Sequence, residues 1–140
     1  MVDQISAERR SAVMAKIKGK DTGPELRVRK AAHALGLRFR LHRSDLPGKP
    51  DLVFPKFRLA LFVHGCFWHQ HAGCRRASMP KSRTDYWEAK LRRNVERDAL
   101  NASALKLMGW RSVVIWECET QDTKNLGDII RHRVAAAEPL

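Results

Sequence analysis

The sequence predicts a single α/β domain in which helices flank a mixed central β-sheet. Three short apolar runs, at 51–54, 59–63 and 112–116, have the length and composition of buried strands. The segments around them carry apolar residues at helical spacing, and no repeat or low-complexity tract interrupts the 140 residues. A chain of this length with 44% apolar residues can bury one core, so we treat 1–140 as one domain.

The first predicted elements are helices. Residues 6–17 fit a first helix, and the stretch from Gly19 to Gly23 is rich in turn-forming residues. A second helix is predicted over 24–35, because apolar residues recur there at helical spacing and Gly36 stands where a left-handed C-terminal cap belongs.

Strands and a long helix are predicted next. Residues 38–42 alternate basic and apolar side chains, as an edge strand or a half-buried strand does. The runs 51–54 and 59–63 predict a β-hairpin, and the second run is apolar on both faces, which places it centrally in the sheet. A long helix is predicted over 84–108, and a closing helix over 123–137 follows the last strand.

The charge predicts a polyanionic partner. The chain has 27 Lys and Arg against 15 Asp and Glu, a formal net charge of +12. Such a surplus without a basic tail is typical of nucleic-acid binding, with a merely well-solvated surface as the alternative. No apolar run is long enough to cross a membrane, the N-terminus lacks a secretory signal, and three cysteines favour thiols or thiolate ligands over disulfides. We therefore expect a cytoplasmic protein.

A cluster of cysteines and histidines predicts a zinc site. Cys66, His71 and Cys74 lie within nine residues, and Cys118 follows a later strand. His69 could take the histidine position as readily as His71, and buried core thiols are the alternative to a metal site. Four protein ligands leave no open position, so such a site is structural and the chemistry must use other residues.

Two carboxylates and a histidine are candidate catalytic residues. Asp51 opens one hairpin strand and could hold Mg²⁺ against a phosphate, although a turn aspartate has the same pattern. His64 closes the partner strand and returns to the same end of the sheet. Asp98 lies in a predicted core-facing stripe of the long helix, where a carboxylate needs a partner such as a catalytic histidine or an arginine. The other members of that stripe are Leu91, Val95, Ala102 and Leu105.

Glu25 fits two roles. In the pattern Thr22-Gly23-Pro24-Glu25 it occupies the third helical position of a capping box, which requires no catalysis. We also keep it among the candidate catalytic residues.

Aromatic residues in basic surroundings are candidate DNA contacts. Phe67 and Trp68 lie in the ligand-rich loop, which cannot easily bury both rings, whereas we assign Trp110 and Trp116 to the core. Apolar rings on a rigid loop can enter between base pairs and unstack them. In the basic N-terminal segment, two apolar side chains stand among lysines. These residues are Met14, Lys16, Ile17, Lys18 and Lys20.

Several short groups of residues together indicate one family. They are Gly19-Lys20-Asp21-Thr22, Leu46-Pro47-Gly48-Lys49-Pro50-Asp51-Leu52-Val53, His64-Gly65-Cys66-Phe67-Trp68-His69, Arg93-Asn94 with Arg97-Asp98, and Gly109-Trp110 with Trp116-Glu117-Cys118. In this combination the chain resembles the very-short-patch repair (Vsr) DNA mismatch endonucleases, from about Arg10 to Cys118.

The resemblance implies a fold and a set of catalytic residues. Such proteins are outliers of the PD-(D/E)xK restriction-endonuclease-like fold, and here Phe62-Val63-His64 replaces the usual acidic-x-lysine strand. Asp51 and the backbone carbonyl of Val63 are implied to bind the catalytic Mg²⁺. His69 is implied to be the general base, oriented by Asp98, and His64 to support the phosphate or leaving group.

The resemblance also assigns the zinc ligands. His71, rather than His69, joins Cys66, Cys74 and Cys118 around a structural Zn²⁺. Val63 departs from the family, which often has a hydroxyl residue there, and the His71–Cys74 spacing is one residue longer than in some relatives.

The implied activity is a Mg²⁺-dependent nick 5′ of the thymine in T:G mismatches that arise when 5-methylcytosine deaminates. Phe67, Trp68 and Trp87 would insert beside the mismatch, while a helical segment at about 1–20 grips the other groove. A nuclease core at about 21–120 would follow. We expect a bacterial, nucleoid-associated monomer that acts on double-stranded DNA, with a mismatch-repair protein as a candidate partner. The alternatives are a restriction-type endonuclease without mismatch preference and a non-catalytic zinc-containing DNA-binding protein.

Overall fold

A computed structural model of the chain describes residues 22–136. The predicted first helix and the basic segment with its apolar residues therefore lie outside the described residues. This holds for Met14, Lys16, Ile17, Lys18 and Lys20.

A three-stranded mixed sheet forms the centre of the described fold. Its strands are β1 (Leu52–Phe54), β2 (Leu59–His64) and β3 (Arg111–Trp116), in the order β1-β2-β3. β1 pairs antiparallel with β2, and β2 pairs parallel with β3. The predicted hairpin and the central position of its second strand are confirmed.

Four α-helices surround the sheet in the described range. They are α1 (Gly23–Ala34), α2 (Thr84–Leu107), α3 (Glu117–Thr120) and α4 (Leu126–Ala136). A parallel pair of strands needs a long crossover, and α2 supplies it between β2 and β3. Of these helices, only α3 was not predicted, because a single turn carries no helical periodicity.

The two faces of the sheet support separate apolar clusters. Side chains alternate along a strand, so neighbouring residues face opposite sides. Leu52, Phe54 and Leu61 pack with α1 and α4 in the main core, which also holds Val28, Ala32, Ile115 and Ile130. Val53 and Ala60 face the other side and meet Leu105 of α2 in a smaller cluster. The smaller cluster covers only part of this face of the sheet, and a cavity lies next to it beside the middle of α2.

The prediction of a strand at 38–42 is wrong. Only Arg40 pairs with the sheet, through backbone hydrogen bonds of 2.8 and 3.0 Å with Val53. The backbone of His42 is left-handed, with a φ of 58°, and this turns the chain away from the sheet.

The closing helix begins later than predicted. Asp122 and Asn125 form a turn in which the Asn125 amide donates to the Asp122 carboxylate at 2.8 Å, and α4 starts at Leu126. Asp and Asn side chains that form such local hydrogen bonds favour a turn over a helix, so the helix starts after Asn125 instead of at residue 123.

The predicted apolar stripe on α2 is buried only at its ends. Leu91 and Leu105 are 1% and 0% exposed, whereas Val95 is 43% exposed and Ala102 is also exposed. The middle of the helix crosses an open cavity rather than the core. Asp98 therefore faces a cleft, not a packed interior. No helix within residues 22–136 has the length and apolar character that a bilayer crossing requires.

Candidate active site and metal centre

A cavity of about 840 Å³ opens at the C-terminal end of β2, between the sheet and the middle of α2. The fold brings all five predicted catalytic side chains to this cavity, together with Val63, whose backbone carbonyl was the other predicted Mg²⁺ ligand. The lining includes Glu25, Asp51, Val63, His64, His69 and Asp98. These residues are far apart in sequence and come from four parts of the fold: α1, the hairpin, the loop after β2, and α2.

Asp51 is fixed at the mouth of the hairpin. Its Oδ2 accepts a hydrogen bond of 2.6 Å from the Val63 N–H, and its own N–H donates to the Leu61 carbonyl at 3.0 Å. Burial raises the pKa of Asp51 to about 7; the Val63 N–H opposes this shift, and the neighbouring Glu25 carboxyl group adds to it. Two carboxyl groups that share a half-buried site are stabilised by a proton or by a cation.

The raised pKa of Asp51 makes its ionisation a cost to folding. An aspartate ionises in the unfolded chain near pH 4, so this group destabilises the fold increasingly between about pH 4 and pH 7. We therefore expect Asp51→Asn to raise the thermal unfolding midpoint at pH 8 without added divalent cation, and to have little effect at pH 4. Thermal scans at both pH values test this, with the exposed Asp128→Asn as control. An unchanged midpoint at pH 8 would contradict the expectation.

Glu25 satisfies only half of the predicted capping box. Thr22 is the N-cap of α1, and its hydroxyl accepts from the Glu25 N–H at 3.4 Å. The Glu25 side chain does not reach back but forms an ion pair of 3.4 Å with Arg29 and lies beside Asp51. At 4% exposure it is a buried carboxylate facing the cavity, which fits the second role proposed for it.

His69 and Asp98 form a hydrogen-bonded pair. The His69 Nδ1 lies 2.6 Å from the Asp98 Oδ2, so the ring nitrogen donates and the carboxylate accepts. This fixes the tautomer and leaves Nε2 as the nitrogen that can take a proton. His64 stacks on His69 with ring centroids 3.8 Å apart and planes 6° from parallel. Burial, followed by the neighbouring His69, lowers the pKa of His64 to about 4, so His64 is neutral at pH 7.

The cysteine cluster has the dimensions of a tetrahedral metal site. The Sγ atoms of Cys66 and Cys118 lie 3.7 and 3.5 Å from the His71 Nδ1, and all four ligand atoms, including that of Cys74, lie within 4.8 Å of one another. Bond lengths of about 2.0–2.3 Å to a tetrahedral zinc place ligand atoms about 3.5–3.8 Å apart. His69 is not in this cluster. The residues therefore fit a zinc ion.

The electrostatics of the cluster also favour a cation. Burial raises the pKa of Cys66 to about 12 and also raises that of Cys118, whereas the pKa of Cys74 is lowered, chiefly by the backbone N–H of Arg76. The Cys118 N–H donates to the Cys66 Sγ at 3.4 Å, the kind of contact that stabilises a thiolate. A divalent cation would supply the positive charge that three adjacent thiolates require.

His64, His69 and Asp98 are also close enough for one cation. However, the two parallel rings direct their lone pairs along separate planes, and Asp98 is hydrogen-bonded to His69. A metal between stacked rings would lie out of both planes. This arrangement fits acid–base chemistry rather than metal binding.

An aromatic cluster adjoins the cavity. The rings of Phe67, Trp68 and Trp87 lie 5.1 to 5.9 Å from one another, and Tyr86, which is 44% exposed, contacts Trp87 at 5.2 Å. None of these rings is fully buried, as predicted for the ligand-rich loop. Together they offer a half-exposed apolar surface on a rigid support.

Two residues beside these rings were given no role from the sequence: Lys90 was not singled out, and Asn94 entered only as part of a family motif. The Lys90 ammonium lies 5.8 Å from the Trp68 ring and 5.9 Å from the Tyr86 ring. The Asn94 side chain donates to the Trp68 carbonyl at 3.0 Å and so fixes the loop. Lys90 follows Tyr86 and Trp87 by four and three residues, and Asn94 follows them by eight and seven, which is the spacing of one helix face and was the available signal.

The two tryptophans assigned to the core are both half-buried. Trp110 packs against the smaller core cluster, and the guanidinium carbons of Arg43 and Arg58 lie 5.5 and 5.6 Å from the centroid of its ring. Trp116 instead contacts the rings of His64 and His71. The core assignment of Trp116 is therefore wrong, because β3 ends between the two sites.

The chain is similar in sequence to known proteins. A profile of the family described as DNA mismatch endonuclease Vsr matches residues 2–76. The DNA mismatch endonuclease Vsr of Escherichia coli (strain K12) is 39% identical over 128 residues, which are 91% of this chain and 81% of that protein. The chain belongs to the Vsr family. It is therefore a DNA endonuclease, as we predicted.

Two further relatives of this Vsr-family chain are named as nicking enzymes. The type II nicking enzyme V.XorIIP of Xanthomonas oryzae pv. oryzae is 54% identical over 122 residues, 87% of this chain and 89% of the relative. The type II nicking enzyme V.NmeAIP of Neisseria meningitidis is 42% identical over 122 residues, 87% of this chain and 86% of the relative.

The range matched by the family profile contains most of the candidate residues but not all of them. Asp51, His64 and His69 fall within 2–76, whereas Asp98 and Cys118 do not. Asp98 reaches the cavity from α2, and Cys118 reaches the cysteine cluster from α3, which directly follows β3.

Proposed function

We propose that this Vsr-family protein is a strand-specific mismatch endonuclease that nicks DNA 5′ of the thymine in T:G pairs produced by deamination of 5-methylcytosine. The observation that carries the proposal is the His69–Asp98 pair, which shares one cavity with Asp51 and adjoins the half-exposed aromatic cluster. The name of the Escherichia coli relative supports mismatched DNA as substrate, and the nicking enzymes support cutting of one strand.

The carboxylates at the hairpin fit a hard divalent cation. Asp51, with the backbone carbonyl of Val63, would hold Mg²⁺, and the buried Glu25 adds negative charge beside it. A bound Mg²⁺ would neutralise the negative charge that develops on the phosphate. Because the proposal uses only the backbone carbonyl of residue 63, the valine side chain at this position is compatible with the metal site.

The histidines supply proton transfer. The His69 Nε2 takes a proton from the attacking water, and Asp98 stabilises the resulting imidazolium through Nδ1. His64 remains neutral and donates a hydrogen bond to a phosphate or leaving-group oxygen. A general base of this kind contributes a factor of about 10²–10⁴ to the rate.

The cysteine cluster would hold a structural Zn²⁺. Four protein ligands close the coordination sphere, so the ion fixes the loop that carries Phe67, Trp68 and His69. We expect His69→Ala to retain one zinc per chain and Cys74→Ala to lose it, measured by metal analysis after dialysis. Loss of zinc from His69→Ala would mean that the wrong histidine was assigned to the metal.

The aromatic rings would recognise weakness in the duplex. A T:G pair is easier to unstack than a matched pair, so inserted rings discriminate before a base is read. We propose a monomer on double-stranded DNA, with a mismatch-repair protein as a candidate partner and the bacterial nucleoid as its location. The PD-(D/E)xK fold and a DNA-gripping segment at about 1–20 belong to the same proposal.

Removing one of these rings should weaken mismatch preference. Base–aromatic stacking is worth about 1–3 kcal/mol, so Trp68→Ala should reduce the ratio of T:G to matched-duplex binding by about tenfold or more. Competition binding with the two duplexes measures this ratio, with Trp110→Ala as control because Trp110 packs away from the cavity. Equal losses in both variants would contradict a role for Trp68 in discrimination.

The test of the proposed function is nicking of end-labelled duplexes, each strand labelled in turn. Matched and T:G duplexes are compared with and without Mg²⁺. We expect a single cut 5′ of the mismatched thymine that requires Mg²⁺. Equal cutting of both duplexes would favour the restriction-type alternative, and binding without cutting would favour the non-catalytic zinc protein.

A further inference from the structure

A continuous column of rings joins the cysteine cluster to the candidate general base. The His71 ring stacks on Trp116 at 4.2 Å and 8°, and Trp116 meets His64 edge-on at 5.4 Å and 73°. His64 then stacks on His69 at 3.8 Å and 6°, and His69 is held by Asp98 at 2.6 Å. Trp116 is the one member of this column that is neither a candidate ligand nor a candidate catalytic residue.

The backbone of Trp116 is fixed from the opposite side. Its N–H donates to the Glu119 Oε1 at 2.9 Å. Arg133 of α4 binds both oxygens of Glu119, at 2.6 and 2.5 Å, and also donates to the Val114 carbonyl at 2.9 Å. A bidentate ion pair of this kind is rigid, so the last helix holds the end of β3 in place.

We propose that Trp116 is a positioning residue that transmits the fixed position of the metal-binding loop to the catalytic histidine pair. The inference rests on the proposed function and extends it. The His64 ring stacks on His69, meets Trp116 edge-on and lies 5.7 Å from the Phe62 ring, so Trp116 supplies one of the three ring contacts that fix its orientation. Without the indole, His64 can tilt, and His69 loses the stacked partner that helps to aim its Nε2.

The expected consequence is a loss of rate without a loss of binding. A displacement of about 1 Å in a catalytic group can cost about 10²-fold in rate. We expect Trp116→Leu to lower the single-turnover nicking rate by about tenfold or more, and Trp116→Phe, which keeps a ring, to lower it less. The Kd for the T:G duplex and the zinc content should remain at wild-type values.

The matched control is Trp110→Leu. Trp110 precedes β3 and Trp116 ends it, and both are half-buried, but Trp110 contacts Arg43 and Arg58 and no histidine of the site. A second readout is independent of nicking. Imidazole resonances of His64 and His69 in long-range ¹H–¹⁵N spectra should shift in both Trp116 variants and stay in place in Trp110→Leu.

Three results would overturn the inference: a wild-type rate in Trp116→Leu, unchanged imidazole resonances, or equal rate losses in Trp116→Leu and the control. Loss of zinc from Trp116→Phe would also overturn it, because the indole would then serve the metal site alone. If Trp116→Leu does not fold, Trp116→Phe and Glu119→Gln decide by the same readouts. A wild-type protein that never nicks T:G duplexes would refute the proposed function, while the imidazole spectra would still test the column.

Discussion

Asp51→Asn should abolish nicking of a T:G duplex and leave its affinity for that duplex within about threefold of wild type. Stabilisation of the phosphate charge by a bound cation is worth several kcal/mol, which corresponds to a loss of at least about 10³-fold in rate. Asparagine keeps the hydrogen bond from the Val63 N–H, because its carbonyl oxygen can replace Oδ2 as acceptor. The hairpin therefore keeps its geometry while the site loses its negative charge.

The measurement is single-turnover nicking at saturating Mg²⁺, paired with binding at constant salt. The control is Asp128→Asn on α4, whose exposed carboxylate pairs only locally with Arg131. If Asp51→Asn lost duplex affinity together with activity, Asp51 would be part of the binding surface rather than the catalytic site. Excess Mn²⁺ should not restore the rate, since the substitution removes the anionic ligand itself.

The same substitution separates stability from function. Asp51 is half-buried beside Glu25, and its raised pKa means that the ionised carboxylate destabilises the fold when no cation is bound. We expect Asp51→Asn to be inactive and, above pH 7, more stable to heat. Residues that carry chemistry often have this property, because the arrangement that binds a cation or a phosphate is unfavourable without it.

The sheet and long helices were predictable because their apolar patterns repeat with a definite period. The hairpin, the central strand and α2 were found within a few residues of their observed bounds. The strand expected at 38–42 was wrong because alternation alone does not show that a residue such as His42 adopts a left-handed backbone. That conformation depends on the loop around it, not on the pattern.

The sequence named individual candidate residues but did not show the surface that they form together. The resemblance to the Vsr family separated His69 from His71, and the two side chains indeed lie in different clusters. Asp98 was found by an argument that was partly mistaken, since the stripe around it crosses a cavity rather than the core. Trp116 was wrongly assigned to the core, because its contacts with His64 and His71 arise only when β2 and β3 pair in parallel with these ends in register.

His69→Ala should reduce the nicking rate by about 10²–10⁴-fold, and Asp98→Asn should cause a smaller loss. The first removes the group that accepts the proton from water. The second keeps a side-chain oxygen that can accept from Nδ1 but removes the charge that stabilises the imidazolium. The two losses should not add in the double variant, because without His69 the carboxylate has no ring to orient.

Non-additivity is the informative measurement. If Asp98 served mainly to hold α2, the helix on which it lies, in place, its loss would reduce the rate further even in the His69→Ala background, and the unfolding midpoint would fall. Single-turnover rates of the wild type, both single variants and the double variant complete the cycle. A double variant that is as active as His69→Ala would place both residues in one proton-transfer unit, and a purely additive result would contradict it.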